Sequence, residues 1–140
     1  MKFSYANPNV LYASKGSRKL GRADNAMADA VTWSNISTYL PSTLVPVNAI
    51  ETHKTNDSIV YIAYNKNVYK SFDAGLSWMN MTPNLPDVSI NTIVTDTSSV
   101  LENLYIGTDL GIYYWDETMT EWISFAQGFP YAARVTELEI

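Results

Sequence analysis

The chain predicts an all-β fold of three repeated four-stranded antiparallel sheets, and three observations carry that prediction. A ten-residue phrase recurs in the 140 residues, as TWSNISTYLP ending at Pro41, SWMNMTPNLP ending at Pro86 and EWISFAQGFP ending at Pro130. Its tryptophans, Trp33, Trp78 and Trp122, stand 45 and 44 residues apart, and the prolines keep the same spacings. Between them lie short alternating runs of aromatic and β-branched residues, the pattern of strands and not of helices. A strand-built repeat of this length is a small sheet that buries its faces on its neighbours.

The second repeat shows the elements most plainly. VNAIETH from Val47, SIVYIAY from Ser58, NVYKSFD from Asn67 and SWMNMT from Ser77 are four strand-length runs, separated by Asn, Asp, Lys or Gly. The third repeat gives INTIVTD, NLYIGT, GIYYWDE and EWISFA in the same order. Tyr12, Tyr61 and Tyr105 anchor the register of the second run, and twelve residues after each stands an acid, Asp24, Asp73 or Glu117. From acid to tryptophan the count is 9, 5 and 5, so the first repeat carries four extra residues in one loop, around NAMADAV.

Each unit reads as the blade of a β-propeller: blade one 1–41, blade two 42–86, blade three 87–130, and a closing strand 131–140. Val135 to Ile140 aligns with Val47 to Thr52, whereas Met1 falls opposite Ile50, so blade one lacks most of its own first strand. Propellers usually hold roughly four to eight blades, and three leave two sheet faces bare. The expected solution is a homodimer in which strand exchange completes a six-bladed ring, every edge strand being paired. The rival is a piece of a longer chain with further blades.

Composition narrows the function classes. Apolar residues make up 46% and aromatics 13%, enough for stacked sheets, while charged residues are 16% with a net charge of −5. Such a surface repels nucleic acid and anionic membranes. The one basic cluster, Lys15, Arg18, Lys19 and Arg22, reads as a solvated strand edge. No apolar run approaches the ~20 residues of a membrane-spanning helix, and no basic-then-apolar leader reads as a signal peptide. Cysteine is absent, which excludes disulfides and cysteine-based zinc sites.

Ser71-Phe72-Asp73-Ala74-Gly75-Leu76-Ser77-Trp78 resembles the Asp-box, S/T-x-D-x-G-x-S/T-W, and matches it at every defined position. The motif recurs in the propellers of sialidases, sortilin-type proteins and xyloglucanases, grouped as BNR-repeat proteins. The first and third repeats are degenerate copies. The resemblance implies a structural hairpin turn away from any active site. Gly75 supplies positive φ, the Asp73 carboxylate accepts hydrogen bonds from turn amides, Ser71 and Ser77 tie the strand ends, and Trp78 plugs the space between sheets. By the same resemblance the protein is expected to be extracellular or secreted.

Catalysis finds little support in these residues. Sialidases of this fold use an arginine cluster and a Tyr–Glu pair. Here Arg18, Arg22 and Arg134 fall at unrelated repeat positions, and the tyrosines occupy alternating strand positions where packing is the default. Xyloglucanase-type propellers need two carboxylates across a cleft; Asp57, Asp87, Asp96 and Asp109 are loop acids that read as turn residues. His53, the one histidine, reads as a strand-end surface residue. The function expected is therefore a non-catalytic module for binding or scaffolding, with a carbohydrate or protein ligand and no cofactor or metal. Rim binding is assigned to Asn65, Asn67 and Asp109. The alternative is a fragment of a BNR-repeat glycoside hydrolase whose active site needs further blades or a second subunit.

Overall fold

The computed structural model describes residues 1–16, 19–41, 46–125, 128 and 133–140. Arg18, Pro130 and the start of the expected closing strand lie outside them. Three separate four-stranded antiparallel sheets are formed, each wound in chain order. The first holds β1 (Lys2–Phe3), β2 (Leu11–Ser14), β3 (Leu20–Ala23) and β4 (Ser34–Asn35). The second holds β5 (Val47–Thr52), β6 (Val60–Tyr64), β7 (Asn67–Ser71) and β8 (Met79–Asn80). The third holds β9 (Ile90–Thr95), β10 (Asn103–Thr108), β11 (Gly111–Asp116) and β12 (Ile123–Ser124). β5 touches both β1 and β9, so the first strands form one row and the sheets stack beside each other.

All three sheets keep one register. Tyr12 lies opposite Arg22, Tyr61 opposite Lys70 and Tyr105 opposite Tyr114. Because side chains alternate with period two, this register decides which residues share a face. On the front, toward the preceding sheet, lie Trp33, Ala13 and Gly21 in sheet one. Sheet two presents Trp78, Ile62 and Tyr69, and sheet three Trp122, Ile106 and Tyr113. On the rear lie Tyr12, Leu20 and Ile36, then Tyr61, Val68 and Met81, then Tyr105, Ile112 and Phe125.

The core follows this division. Between sheets one and two, rear Tyr12, Leu20 and Ile36 pack with front Ile62, Tyr69 and Trp78. Between sheets two and three, rear Tyr61, Val68 and Met81 pack with front Ile106, Tyr113 and Trp122. Burying large side chains on both sides of a sheet, each worth about 1.5–3 kcal/mol, joins the units into one body.

The first strands differ in length. β1 covers two residues where β5 and β9 cover six each, and it pairs with β2 only at Lys2–Tyr12 and Phe3–Leu11. Residues 133–140 belong to none of the three sheets. Val135 nonetheless sits on sheet three as Ile90 sits on sheet two. The Ile90 amide donates to the Asn65 carbonyl (3.2 Å), and the Ile90 carbonyl accepts from Asn48 Nδ2 (2.9 Å). The Val135 amide donates to the Thr108 carbonyl (2.9 Å), and its carbonyl accepts from Asn91 Nδ2 (2.9 Å).

Candidate functional site

The repeat leaves one face of each kind uncovered. Trp122 is 3% exposed, whereas its equivalent Trp33, with no sheet in front of it, is 49% exposed. The Trp33 ring lies on β3, which Gly21 permits, since a Cβ there would stand 3.2 Å from the indole. Trp33, Ala13, Gly21 and Asn35, with Lys15 and Lys19 beside them, border an open cleft of about 470 Å³.

The rear of sheet three is the second open face. Tyr12 and Tyr61 are fully buried, but their equivalent Tyr105 is only partly covered. Its ring stands 5.0 Å from that of Tyr114 and 5.4 Å, edge to face, from Phe125, which is 56% exposed. Such aromatic clusters supply large apolar area with fixed geometry. Tyr105, Phe125, Ile112 and Val94 border a cleft of about 270 Å³, closed on one side by Leu138 to Ile140 and carrying Asp96 and Glu139.

At the turn after β7, Asp73 Oδ1 accepts from the amides of Leu76 (3.1 Å) and Ser77 (2.8 Å) and from the Ser71 hydroxyl (2.8 Å). Asp73 Oδ2 accepts from the Ser77 hydroxyl at 2.6 Å. The Ser71 oxygen accepts from the Gly75 amide at 2.8 Å, and Gly75 has φ of +93°. Its missing Cβ leaves room for Ile36, whose Cδ1 would stand 2.6 Å away. The hydrogen bonds, that from Ser77 foremost, hold the Asp73 carboxyl below the usual carboxylate range. Trp78 packs against the core between sheets one and two, with its Nε1 buried and unpartnered among the described residues.

The other two turns are built differently. In sheet one the longer loop is organised by Asn25, whose side chain donates to the Ala30 carbonyl (3.1 Å) and accepts from the Thr32 amide (2.9 Å). In sheet three the acid that closes the turn is Asp116, one position before Glu117, accepting from the Thr118 amide (2.9 Å) and hydroxyl (2.6 Å).

The rim residues are engaged locally. Asn65 has φ of +58° in the β6–β7 hairpin, and its carbonyl accepts from Ile90 (3.2 Å). Asn67 Oδ1 accepts from the Thr82 hydroxyl (3.1 Å). Asp109 accepts from Asn91 Nδ2 (2.9 Å) and pairs with Arg134 (3.1 Å). The remaining loop acids are likewise in turns or ion pairs: Asp57 accepts from Asn7 (2.9 Å), Asp87 pairs with Lys66 (2.8 Å), and Asp96 accepts from the Ser98 amide (2.9 Å). Among the described residues no three His, Asp or Glu side chains are placed to hold a metal ion.

One polar cluster escaped the sequence reading. Glu102 Oε1, nearly buried, accepts from Lys70 Nζ at 2.5 Å and from the Tyr61 hydroxyl, and His53 Nε2 stands 3.5 Å from Glu102 Oε2. Lys70 is 6% exposed and lies over the rings of Phe72, Tyr61 and Trp115, a cation held by aromatic faces. Burial first, then the bond to Glu102, raises the Tyr61 pKa far above its ordinary value. His53, expected at the surface, is 14% exposed in its side chain, and its Nδ1 accepts from the Thr55 and Asn56 amides (3.2 Å each). Burial foremost lowers its pKa, so it serves as a neutral acceptor. This cluster joins sheets two and three from inside, with Tyr61 fully buried and Lys70 and Glu102 nearly so.

The sequence matches no protein-family model and no curated protein. Twenty-four solved protein chains match its fold. One is YCF48 bound to a D1 peptide, at TM-score 0.66 and 17% identity, over 89% of this chain and 38% of that one. Another is the GH74 xyloglucanase from Xanthomonas campestris, at TM-score 0.66 and 13% identity, over 89% of this chain and 21% of that one. The chain thus spans well under half the length of either. At such identities the likeness speaks for the fold alone: the three sheets are blades of a β-propeller.

Proposed function

We propose that the chain is a non-catalytic propeller module that binds or scaffolds other macromolecules through its open sheet faces and turn-bearing rim. One observation carries this reading. Trp33 and the Tyr105–Phe125 cluster are uncovered at positions whose repeat equivalents are buried or, for Trp78, partly buried, and exposed apolar patches of that kind mark interaction surfaces. The reading includes self-association, a second copy bringing the blades to six, within the usual range of closed rings. The turn at Asp73 is read as the Asp-box of BNR-repeat proteins, in a structural role, and an extracellular setting goes with that kinship.

Support for a protein ligand comes from YCF48, the structural neighbour that is bound to a peptide. Asn65, Asn67 and Asp109 remain the rim positions proposed for a carbohydrate or peptide. The loop acids Asp57, Asp87 and Asp109 are each tied to a cation or amide of their own surroundings, which favours binding over hydrolysis. The test has two arms. A panel of chromogenic glycosides should give no release above buffer, and turnover that Asp57→Asn or Asp96→Asn removes would overturn the non-catalytic reading. Peptide and glycan arrays should show binding that Asn65→Ala or Asp109→Ala weakens; blank arrays would overturn the rim assignment.

A further inference from the structure

The geometry points to a second copy of this chain as the occupant of both open faces, docked head to tail: the front of sheet one on the rear of sheet three, twice, about a two-fold axis. This rests on the interaction-module reading and names the partner for it. The chain already contains two seams of one design, and both join a front to a rear. The free surfaces are one front, with Trp33, Ala13 and Gly21, and one rear, with Tyr105, Ile112 and Phe125. A molecule that exposes both halves of a seam it has already built twice is complementary to itself.

Two details fit the two halves together. The internal seam between sheets two and three is pinned by Trp122 Nε1, which donates to the Met81 carbonyl at 2.6 Å. Trp33 and Phe125 occupy the repeat positions of Trp122 and Met81, so Trp33 of one copy is aimed at the Phe125 carbonyl of the other. Charge agrees with this. The front cleft carries Lys15 and Lys19, and the rear cleft Asp96 and Glu139, which favours front-to-rear encounter and opposes like faces meeting.

The strand edges also correspond. Among the described residues β2 has a partner on its first-strand side at Leu11 and Tyr12 and none at Ala13 and Ser14. Val135 already holds the first-strand position behind sheet three through Thr108 and Asn91. Val135 to Glu137 align by repeat with Val47 to Ala49, and on the neighbouring copy they continue the inner strand past β1. The front-to-rear contact is heterologous, and it closes after two copies because six blades complete the circle.

The test uses the 140-residue chain and two surface variants, Trp33→Arg at the front and Phe125→Arg at the rear. Both residues are about half exposed within one copy, so circular dichroism and the thermal midpoint should show both variants folded. By light scattering the unmodified chain is expected at about twice 15.7 kDa. Each variant alone should run as a single copy, since every seam needs one face of each kind. An equimolar mixture should regain a two-chain species, because one front and one rear remain intact. A single-copy unmodified chain at every concentration overturns the proposal and leaves the faces to sheets of another polypeptide. Loss of pairing in one variant with none in the other overturns it in favour of a like-with-like contact. Open-ended growth in place of a pair overturns the two-copy closure. If the chain stays single yet binds on the arrays, this inference fails while the binding reading stands.

Discussion

The indole Nε1 of Trp122 donates a 2.6 Å hydrogen bond to the backbone carbonyl of Met81, across the seam between the second and third sheets. The equivalent indole of Trp78 reaches the seam between the first and second sheets but makes no such bond among the described residues; the equivalent carbonyl, that of Ile36, accepts from the Tyr39 amide (3.2 Å). The short 3-10 turn Ser37–Tyr39 follows Ile36 directly. Two tryptophans with one packing role differ in the state of one polar atom.

That difference predicts unequal responses to the same substitution. Trp122→Phe leaves the Met81 carbonyl unpaired in a buried seam and should cost about 1–3 kcal/mol beyond the lost area. Trp78→Phe removes a group that was already unpaired, so it should cost only the area. Urea unfolding of the two variants measures this. Equal losses would show that the Trp122 bond contributes nothing.

The turn at Asp73 makes a second comparison. Asp73→Ala removes the acceptor for two amides and two hydroxyls, and a lost cap of this kind costs about 0.5–2 kcal/mol. Gly75→Ala combines positive φ with a collision against Ile36, and strained backbone alone costs about 1–3 kcal/mol. Gly75→Ala is thus expected to lower the thermal midpoint at least as far as Asp73→Ala. Since Ile36 belongs to sheet one, pairing Gly75→Ala with Ile36→Val should return part of the loss. No recovery in that double variant would place the strain in the backbone alone.

The fold was legible because its information is local and repeated. Tryptophans at fixed spacing and period-two alternation around Tyr12, Tyr61 and Tyr105 define strands, register and faces without any knowledge of neighbours. The polar cluster was not legible, for the opposite reason. Glu102 stands 32 residues from Lys70 and 41 from Tyr61, at the entry to a different sheet, and only stacking brings them together. The same stacking covers most of the His53 side chain, which alternation alone places at a strand end. In sheet three the turn acid is Asp116, one residue earlier, in a turn of equal length: Lys70 pairs with Met79 and Tyr114 with Ile123, but Met119 stands where sheet two has Gly75. The alignment pointed at Glu117, whose side chain is exposed.

Acid stability should follow three turn carboxylates. Hydrogen bonds hold Asp73, Asp96 and Asp116 below their ordinary value, foremost those from the hydroxyls of Ser77, Ser98 and Thr118. A carboxyl with a lowered folded pKa stabilises the fold above its unfolded value of 3.8 and loses that contribution as pH falls through the folded one. Glu51 works the other way, because burial raises its pKa against the bonds from Lys2 and Thr52. The thermal midpoint should therefore decline below about pH 4. Asp73→Asn should lower the neutral plateau and flatten that decline. An acid limb unchanged by all three Asp→Asn substitutions would remove these turns from the explanation.

The Lys70–Glu102 pair gives the sharpest test of the seam's interior. Lys70→Met leaves Glu102 nearly buried without its close cation, and breaking such a pair costs about 3–5 kcal/mol. Adding Glu102→Gln to Lys70→Met should recover part of the loss, with a coupling of about 0.5–3 kcal/mol. His53 makes the single variant sensitive to pH. In the unmodified chain burial foremost, and Lys70 also, keep its imidazole neutral against the pull of Glu102, 3.5 Å away. With Lys70 gone the Glu102 charge favours a charged His53, although the added proton must sit on Nδ1 and so displace the amides of Thr55 and Asn56. A histidine whose folded pKa is raised adds stability below its unfolded value of 6.5 and loses it as pH rises through the folded one. Lys70→Met should therefore lag the unmodified chain less at pH 5.5 than at pH 8, and adding His53→Gln should abolish that difference. A gap that stays constant across this range would mean that His53 does not respond to the loss of Lys70.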